Sequence, residues 1–371
     1  MFLVVTRNFP PDVGGMQILM DGLTKSLIEH GPVKVFANEF QNSDLYDKKI
    51  SAEIHRVSGL KLFQKYRKAN LVNEFIEKNS NIRAIFFDHW KSLELINENL
   101  LKKTKTFCLI HSKEINHIPG SRLNKRFLKS FKKADHIISN SNFTKKLAIK
   151  MNIEEKKINV INPGINMPIA LESSFIEKAS KYFYISQNEK KSFPKIITVA
   201  RLEKRKNHDK ILMALKNLQA KFPKFKYVSI GDGEEKNNLL KLTNELGLND
   251  NVVFLKNIEE KLKFSLISLS NLFIMPSIID KKSVEGFGIS FVEAASYGVG
   301  SIGGKDGGAS DAISHNKTGI ICDGNDLNSI YESINNFFDS ENYIKFGKAA
   351  KIFSENFYWN KTIKNYLKLI D

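Results

Sequence analysis

Residues 285–293 read Glu285-Gly286-Phe287-Gly288-Ile289-Ser290-Phe291-Val292-Glu293. Two carboxylates stand eight residues apart, and a glycine-flanked turn runs directly into an apolar helix. Gly286 and Gly288 let the backbone turn sharply and approach a ligand closely. The pattern predicts a helix from Ile289 to Tyr297, with Gly298 where left-handed caps sit. Its first turn offers backbone N–H groups at the positive end of the helix dipole. Glu285 lies in the loop before that turn and Glu293 one turn inside the helix, so both can accept hydroxyl hydrogens from one bound molecule. Two such acceptors beside an anion-binding helix end suit a sugar joined to a phosphate. The plainer alternative is a surface loop before an ordinary amphipathic helix.

Outward from this stretch, a strand-like run, Leu272-Phe273-Ile274-Met275-Pro276-Ser277, precedes it. A second strand with its own glycine loop, Ser301 to Gly308, follows. Strand, loop, helix, strand, loop places both glycine turns at one edge of a parallel sheet, the edge where open α/β sheets bind ligands. The same alternation runs through the rest of the chain. The first half predicts strands at Phe2–Thr6, Val33–Ala37, Arg83–Asp88, Thr106–Ile110, His136–Ser139 and Ile158–Ile161. Helices fall between them at Met16–His30, Asn70–Lys78, Arg122–Lys133 and Thr144–Met151. The second half predicts strands at Ile196–Ala200, Lys226–Ile230, Val252–Leu255, Leu272–Met275, Gly300–Gly303 and Gly319–Cys322, again with intervening helices. The expected domains are residues 1–165 and 195–352, joined by a connection at 166–194 that ends in Glu189-Lys190-Lys191-Ser192-Phe193-Pro194. A last amphipathic helix, in residues 353–371, is expected to return to the first domain.

The 371 residues suit two domains, and an apolar share of 42% is ample for two cores. No apolar run approaches the ~18 residues of a membrane span, and the opening Met1-Phe2-Leu3-Val4-Val5-Thr6 reads as a buried strand rather than a signal segment. Cys108 and Cys322 fall in different halves, which fits a reduced, cytoplasmic setting. Of the net charge of +17, +12 lies in residues 1–165. Nucleic acid, anionic lipid and phosphorylated substrates are all compatible with that excess.

Six segments in order resemble one known family, the retaining glycosyltransferases of family 4. They are Phe9-Pro10-Pro11-Asp12-Val13-Gly14-Gly15, His111-Ser112-Lys113-Glu114, Asn162-Pro163-Gly164-Ile165-Asn166, Arg201 to Asn207, Gly231-Asp232-Gly233, and the Glu285–Glu293 segment. The resemblance covers almost the full length and implies the GT-B fold, two Rossmann-like doubly wound domains facing a central cleft. The chain departs from the family at Gly300, often proline, and at Ser112, commonly glycine. Ile278–Val284 is longer than in many relatives and is similar to that of the phosphatidylinositol mannosyltransferases.

Transfer of a sugar from a nucleoside diphosphate requires stabilising negative charge as the diphosphate leaves. No Asp-x-Asp metal-binding motif is present, which points to cationic side chains. Arg201, directly after a predicted strand, and Lys206 are the natural pair; each fixed charge at a leaving group is worth ~10²–10³ in rate. Gly14-Gly15 opens the first helix and can present backbone N–H groups to the diphosphate. It is no G-x-G-x-x-G fingerprint, which counts against a dinucleotide cofactor. By the resemblance, Glu293 binds the ribose hydroxyls and Glu285 the hydroxyls of the hexose. The backbone amides of Phe287 and Gly288 assist, Gly231 lies at the donor, and His111 contacts the reacting region of the sugar. Asp306-Gly307-Gly308 is a further glycine loop directed at the donor, and His89 is read as structural.

The expected activity is therefore metal-independent, cofactor-free transfer of a hexose from UDP- or GDP-hexose to a lipid-linked or surface-glycan acceptor, as in lipopolysaccharide, capsule or glycolipid synthesis. Arg122–Lys133 carries six Lys/Arg and no acid, with Leu123, Phe127 and Phe131 spaced by four. With Lys61–Lys68, it suggests peripheral attachment to the inner face of the cytoplasmic membrane. Competing readings are a soluble nucleotide-sugar enzyme of the same fold, of sucrose- or trehalose-synthase or epimerase type, and a basic nucleic-acid-binding protein. The last lacks any recognition motif, so no nucleic-acid partner is expected.

Overall fold

The computed structural model describes residues 1–185 and 192–371, with only the backbone at 61–62, and among the described residues thirteen strands form two all-parallel sheets. The first unit comprises Met1–Asn166 and Phe357–Asp371, the second Met167–Asn356. In the first unit, β1 (Phe2–Val5), β2 (Val33–Asn38), β3 (Glu53–Val57), β4 (Ala84–Phe87), β5 (Lys105–Ile110), β6 (His136–Ser139) and β7 (Ile158–Val160) lie in the order β3-β2-β1-β4-β5-β6-β7. In the second, β8 (Lys195–Val199), β9 (Lys226–Ile230), β10 (Val252–Leu255), β11 (Leu272–Met275), β12 (Ser301–Gly304) and β13 (Gly319–Cys322) lie in the order β10-β9-β8-β11-β12-β13.

The apolar runs form strands because both faces of each sheet are covered, so the central strands are mostly apolar and polar members such as Thr106, Thr198 and Ser229 are buried within them. In β1, Leu3 and Val5 point into one core with Ile85, Phe87, Cys108 and Ile110. Phe2 and Val4 point into the opposite core with Phe86, Phe107 and Leu109. The edge strand β3, Glu-Ile-His-Arg-Val, was not expected. It is exposed at Glu53 and His55 and buried only at Val57, so its sequence reads as polar.

Two features revise the expected domain map. Residues 166–194 are not a bare connection. Helix Ser173–Ser180 belongs to the second unit, where it packs against helix Glu260–Ser268 and Lys261 pairs with Glu172 at 2.5 Å. The Glu189-Lys190-Lys191 stretch lies outside the described residues. Helix Asn342–Ser354, which the sequence reading passed over, continues the second unit to Asn356. Its Phe346 explains Gly300: a Cβ there would lie 2.8 Å from Phe346 Cβ and 3.0 Å from Phe337 Cζ.

The final helix, Trp359–Ile370, lies in the first unit beside helix Gly15–Ile28. Trp359 wedges between Gly22 and Gly164, where added Cβ atoms would stand 2.0 and 2.4 Å from its indole. Gly164 of the Asn-Pro-Gly segment therefore serves packing. Helix Arg122–Lys132 also turns its apolar side inward. Phe127 and Phe131 are 0% and 3% exposed, and the Phe127 ring lies 6.4 Å from that of Trp90 at a tilt of 55°. Its lysines remain outside, but its phenylalanines are not available to a bilayer. Among the described residues no helix is long and apolar enough to cross a membrane.

Strand β5 runs into Ser112, whose φ of 112° lies in the region that favours glycine, the family's common residue there. Such a conformation costs about 1–3 kcal/mol in a non-glycine residue. Ser112→Gly relieves it, less the larger unfolded-state entropy of glycine. The expected outcome is a stabilisation of about 1 kcal/mol, measurable by thermal or urea unfolding; a destabilised variant would show that the serine hydroxyl outweighs the backbone.

Candidate functional site

In the second sheet the strand order reverses between β8 and β11. Chains leaving the carboxyl ends of these neighbours diverge and open a crevice, the usual ligand position in doubly wound sheets. Residues 201–207 follow β8, and residues 276–288 follow β11. One strand edge therefore receives Arg201, Lys206 and Glu285.

The loop after β8 is pinned at several points. Leu202 N donates to Asp232 O at 3.0 Å, and Lys206 N donates to Glu203 O at 2.9 Å. Asn207, with φ of 65°, closes the short turn Lys204–Lys206. Its side-chain amide donates to Pro276 O at 3.0 Å and to Gly324 O at 2.7 Å. This residue was not singled out from sequence, yet it ties the β8 loop to the loops after β11 and β13. Gly231 is likewise explained by packing, since a Cβ there would fall 1.9 Å from Ala200 O. It holds the backbone beside Arg201, and nothing else in its geometry marks it as a ligand group.

Lys206 and Glu285 meet directly. Lys206 Nζ donates to Glu285 Oε2 and also lies 3.2 Å from Met275 Sδ. Arg205, absent from the expected set, donates through Nη1 to the same Oε2 at 3.0 Å and through Nε to Glu203 Oε2 at 3.0 Å. The side chains of Arg205, Lys206 and Glu285 are 17%, 9% and 12% exposed. Arg201 stands apart from this buried group: its side chain is 72% exposed and its Nη1 pairs with Glu203 Oε1 at 2.9 Å. The expected pair of cations thus divides into a buried member held by Glu285 and an outward member reached through Glu203.

The Glu285 backbone is clamped as well. Gly308 N donates to Glu285 O at 2.8 Å, and a Cβ on Gly307 would lie 2.4 Å from that oxygen. The Asp306–Gly308 loop therefore serves to hold Glu285. Beyond it, Phe287 is 2% exposed and Gly288, with φ of 90°, starts helix Ile289–Ser296. Gly298 follows the helix with φ of 78°, the cap that its sequence position predicts. Glu293 sits on this helix but in a separate pair, with Lys263 Nζ 3.2 Å from its Oε1. Lys263, from helix Glu260–Ser268, is a further residue the sequence did not flag.

The remaining expected residues lie in the first unit. Its sheet reverses between β1 and β4, and Gly14-Gly15 follows β1 at the start of helix Gly15–Ile28. Gly14 has extended backbone, and a Cβ on Gly15 would meet nothing within 4 Å. Gly15 is therefore not required by the protein's own packing. His111 follows β5, and its ring Nε2 lies 2.9 Å from Asp88 O. A carbonyl only accepts, so Nε2 carries the hydrogen, and a neutral ring keeps its lone pair on Nδ1. Glu114 accepts from His111 N at 2.5 Å, which closes the His-Ser-Lys-Glu turn. His89 caps the helix Trp90–Leu93 by accepting from Lys91 N at 2.9 Å, a structural task.

Burial alone would push the Glu285 carboxyl upward. The charges and hydrogen bonds of Lys206 and Arg205 overcome that and hold it down at about 2. Burial likewise pulls the Lys206 ammonium below the ordinary lysine range, with Glu285 opposing. Among the described residues no group of three or more His, Cys, Asp or Glu side chains is assembled to hold a metal ion. Because the folded-state carboxyl titrates below its ordinary 4.5, its stabilisation is complete above pH 4.5 and is lost as pH falls toward about 2. Glu285→Gln should flatten the acid side of the unfolding curve within that window; an unchanged acid limb would show that Glu285 is not held ionised.

Two family models match the chain: Glycosyl transferases group 1 over residues 183–357 and Glycosyltransferase Family 4 over residues 13–167. The chain is 22% identical over 370 residues to the GDP-mannose-dependent alpha-(1-6)-phosphatidylinositol monomannoside mannosyltransferase of Mycolicibacterium smegmatis, covering 96% of this chain and 94% of that protein. It is 24% identical over 344 residues to the GDP-mannose-dependent monoacylated alpha-(1-6)-phosphatidylinositol monomannoside mannosyltransferase of Corynebacterium glutamicum, covering 91% and 88%. Among solved structures, HepE of Anabaena in complex with UDP aligns with a TM-score of 0.81 at 16% identity, covering 99% of each chain. A glycosyltransferase from Rickettsia africae aligns at 0.79 with 19% identity, covering 100% of this chain and 97% of the other. These last two are likenesses of fold. With consecutive family models over its two units and enzyme relatives along nearly its full length, the chain belongs to the family 4 glycosyltransferases of GT-B fold, which use nucleotide sugars.

Proposed function

We propose that this protein transfers a hexose, with retention of anomeric configuration and without a divalent ion, from a nucleoside diphosphate sugar to a lipid-linked or surface-glycan acceptor. The observation that carries the reading is the Lys206–Glu285 pair at the strand-order reversal of the second sheet, linked through Arg205 and Glu203 to the outward guanidinium of Arg201. In this reading Arg201 and Lys206 neutralise the departing diphosphate, a role that fixed cations perform without reorganisation. Glu285 accepts hexose hydroxyls, Glu293 accepts ribose hydroxyls, and the amides of Phe287 and Gly288 assist. Within the first unit, His111 and Gly14-Gly15 keep the sugar- and diphosphate-contacting roles that the resemblance implies. Gly15, unexplained by internal packing, suits a backbone that a ligand approaches.

Glu285 is a poor general base here. Held near pKa 2 by two cations, it is far from the near-neutral value that proton abstraction favours. Hydroxyl recognition fits it better, and the leaving phosphate is then the group that takes the acceptor proton. The named relatives use GDP-mannose and act on phosphatidylinositol mannosides, which favours a glycolipid acceptor over a small soluble sugar. The bound nucleotide of HepE is UDP, so both bases enter the test. Thermal-shift measurements against UDP-, GDP- and ADP-sugars identify the donor, because a bound ligand stabilises the fold by mass action. Donor consumption with lipid extracts against soluble sugars then separates this reading from that of a sucrose- or trehalose-type synthase.

Arg201→Ala and Lys206→Ala should each lower turnover by about 10²–10³. Arg201→Ala, at an exposed position, should leave the melting temperature unchanged. Full activity in either variant would remove that residue from the diphosphate site.

We infer, second, cytoplasmic residence with peripheral contact to anionic lipid through the first unit. The surface that supports it is not the Arg122–Lys132 helix. Leu60, Phe63 and Tyr66 are 74%, 61% and 50% exposed, with the Lys65 ammonium 4.7 Å from the centre of the Tyr66 ring and Arg67 alongside. Lys68 is not part of this patch, since its ammonium is buried on Thr6 O and Asn38 Oδ1. Flotation with phosphatidylglycerol vesicles should be lost in a Phe63→Ser, Tyr66→Ser double variant and weakened by salt. Absence of wild-type binding at low ionic strength would end this part of the reading.

A further inference from the structure

The charges around Glu285 in the second unit form a connected chain, running from the exposed Arg201 to the buried Lys206, rather than separate pairs. Glu203 uses both carboxylate oxygens, Oε1 toward Arg201 Nη1 at 2.9 Å and Oε2 toward Arg205 Nε at 3.0 Å. Arg205 spans from Glu203 to Glu285, presenting Nη1 to Oε2 at 3.0 Å. Lys206 closes the far end on that same Oε2. Signs alternate along the series Arg201, Glu203, Arg205, Glu285, Lys206. Both cations grip one oxygen of Glu285, and no hydrogen bond to its Oε1 is found among the described residues.

We propose that Arg205 and Glu203 are positioning residues that fix the rotation of the Glu285 carboxylate and couple it to Arg201, so that the sugar end and the diphosphate end of the donor are bound as one unit. This rests on the reading above, in which Glu285 meets the hexose and Arg201 the diphosphate. Lys206 by itself cannot set the carboxylate plane, because an ammonium is a point charge with freely rotating donors. The guanidinium is planar, and with two of its nitrogens engaged by two carboxylates its plane is fixed. Its backbone is fixed as well, since Arg205 O accepts from Ile278 N at 2.9 Å. Oε1 is thereby left in a set direction for a hydroxyl donor. At the other end Glu203 holds Arg201 in the absence of ligand, and a diphosphate must draw Arg201 away from it. That competition gives Glu203 an effect on diphosphate affinity opposite in sign to the effect of Arg205 on sugar affinity.

The test is titration calorimetry on the full chain with the pairs UDP and UDP-glucose, GDP and GDP-mannose, and ADP and ADP-glucose. The quantity read is the ratio of the two dissociation constants within the pair that binds. Arg205→Met should raise the sugar-nucleotide constant relative to the bare nucleotide by about tenfold, the size of one charge-assisted hydrogen bond. Glu285→Gln should do the same, and the double variant should be no worse than Glu285→Gln alone. Arg205→Lys should recover part of the ratio, and it replaces Arg205→Met if thermal melts show that variant to be unfolded. Glu203→Gln should tighten the bare nucleotide. Equal losses for nucleotide and sugar nucleotide would make Arg205 a direct diphosphate ligand and overturn the proposal, as would an unchanged ratio or an additive double variant. A wild-type protein that binds none of the six probes would instead defeat the donor reading itself.

Discussion

A buried carboxylate gripped by two cations is the constraint around which the second unit is arranged. Taking Glu285 and Lys206 out of water costs several kcal/mol per ion unless each finds well-placed partners. The backbone supplies them. Asn207 ties the β8 loop to the loops after β11 and β13, Gly308 N holds the Glu285 carbonyl, and Ile278 N holds Arg205. Removing one member leaves a charge without its counterpart, which is why glycines with no room for a Cβ, Gly231 and Gly307 among them, line this loop cluster. Their function is to let backbones approach so that three charged side chains converge on one point.

This arrangement suits the division of roles proposed above. A carboxylate held by two cations recognises hydroxyls and is a weak base, whereas an exposed guanidinium such as Arg201 is free to exchange one oxyanion for another. The two ends of a sugar nucleotide ask for those two behaviours. Glu293 pairs separately with Lys263 on the neighbouring helix.

The first unit shows how similar logic reads differently. Asp88 is buried and saturated by Thr6 Oγ1, Arg7 N and Ser92 Oγ at 3.1, 2.8 and 2.6 Å, and its carbonyl orients His111. The acid here stiffens the ends of neighbouring strands rather than presenting itself to a ligand. The basic excess of this half divides in the same way: the Arg122–Lys132 helix faces its phenylalanines inward, while Phe63 and Tyr66 keep theirs outside.

Strand and helix alternation was legible from periodicity because buried parallel strands are continuous apolar runs; β6, β9, β10 and β13 fall on their expected residues. The edge strand β3 and helix Ser173–Ser180 were not, since half-exposed elements carry a mixed pattern that loops share. Linear order likewise exposed the Glu285–Glu293 spacing, the position of Arg201 and Lys206 after a strand, and the two glycine turns. It did not reveal which strands are neighbours. The reversals between β1 and β4 and between β8 and β11 exist only in the folded sheet, and the second brings residue 206 against residue 285. Arg205, Glu203, Lys263 and Asn207 acquire meaning only there, because an ion pair or an amide clamp depends on distance in space, and distance in space across eighty residues is set by packing rather than by sequence.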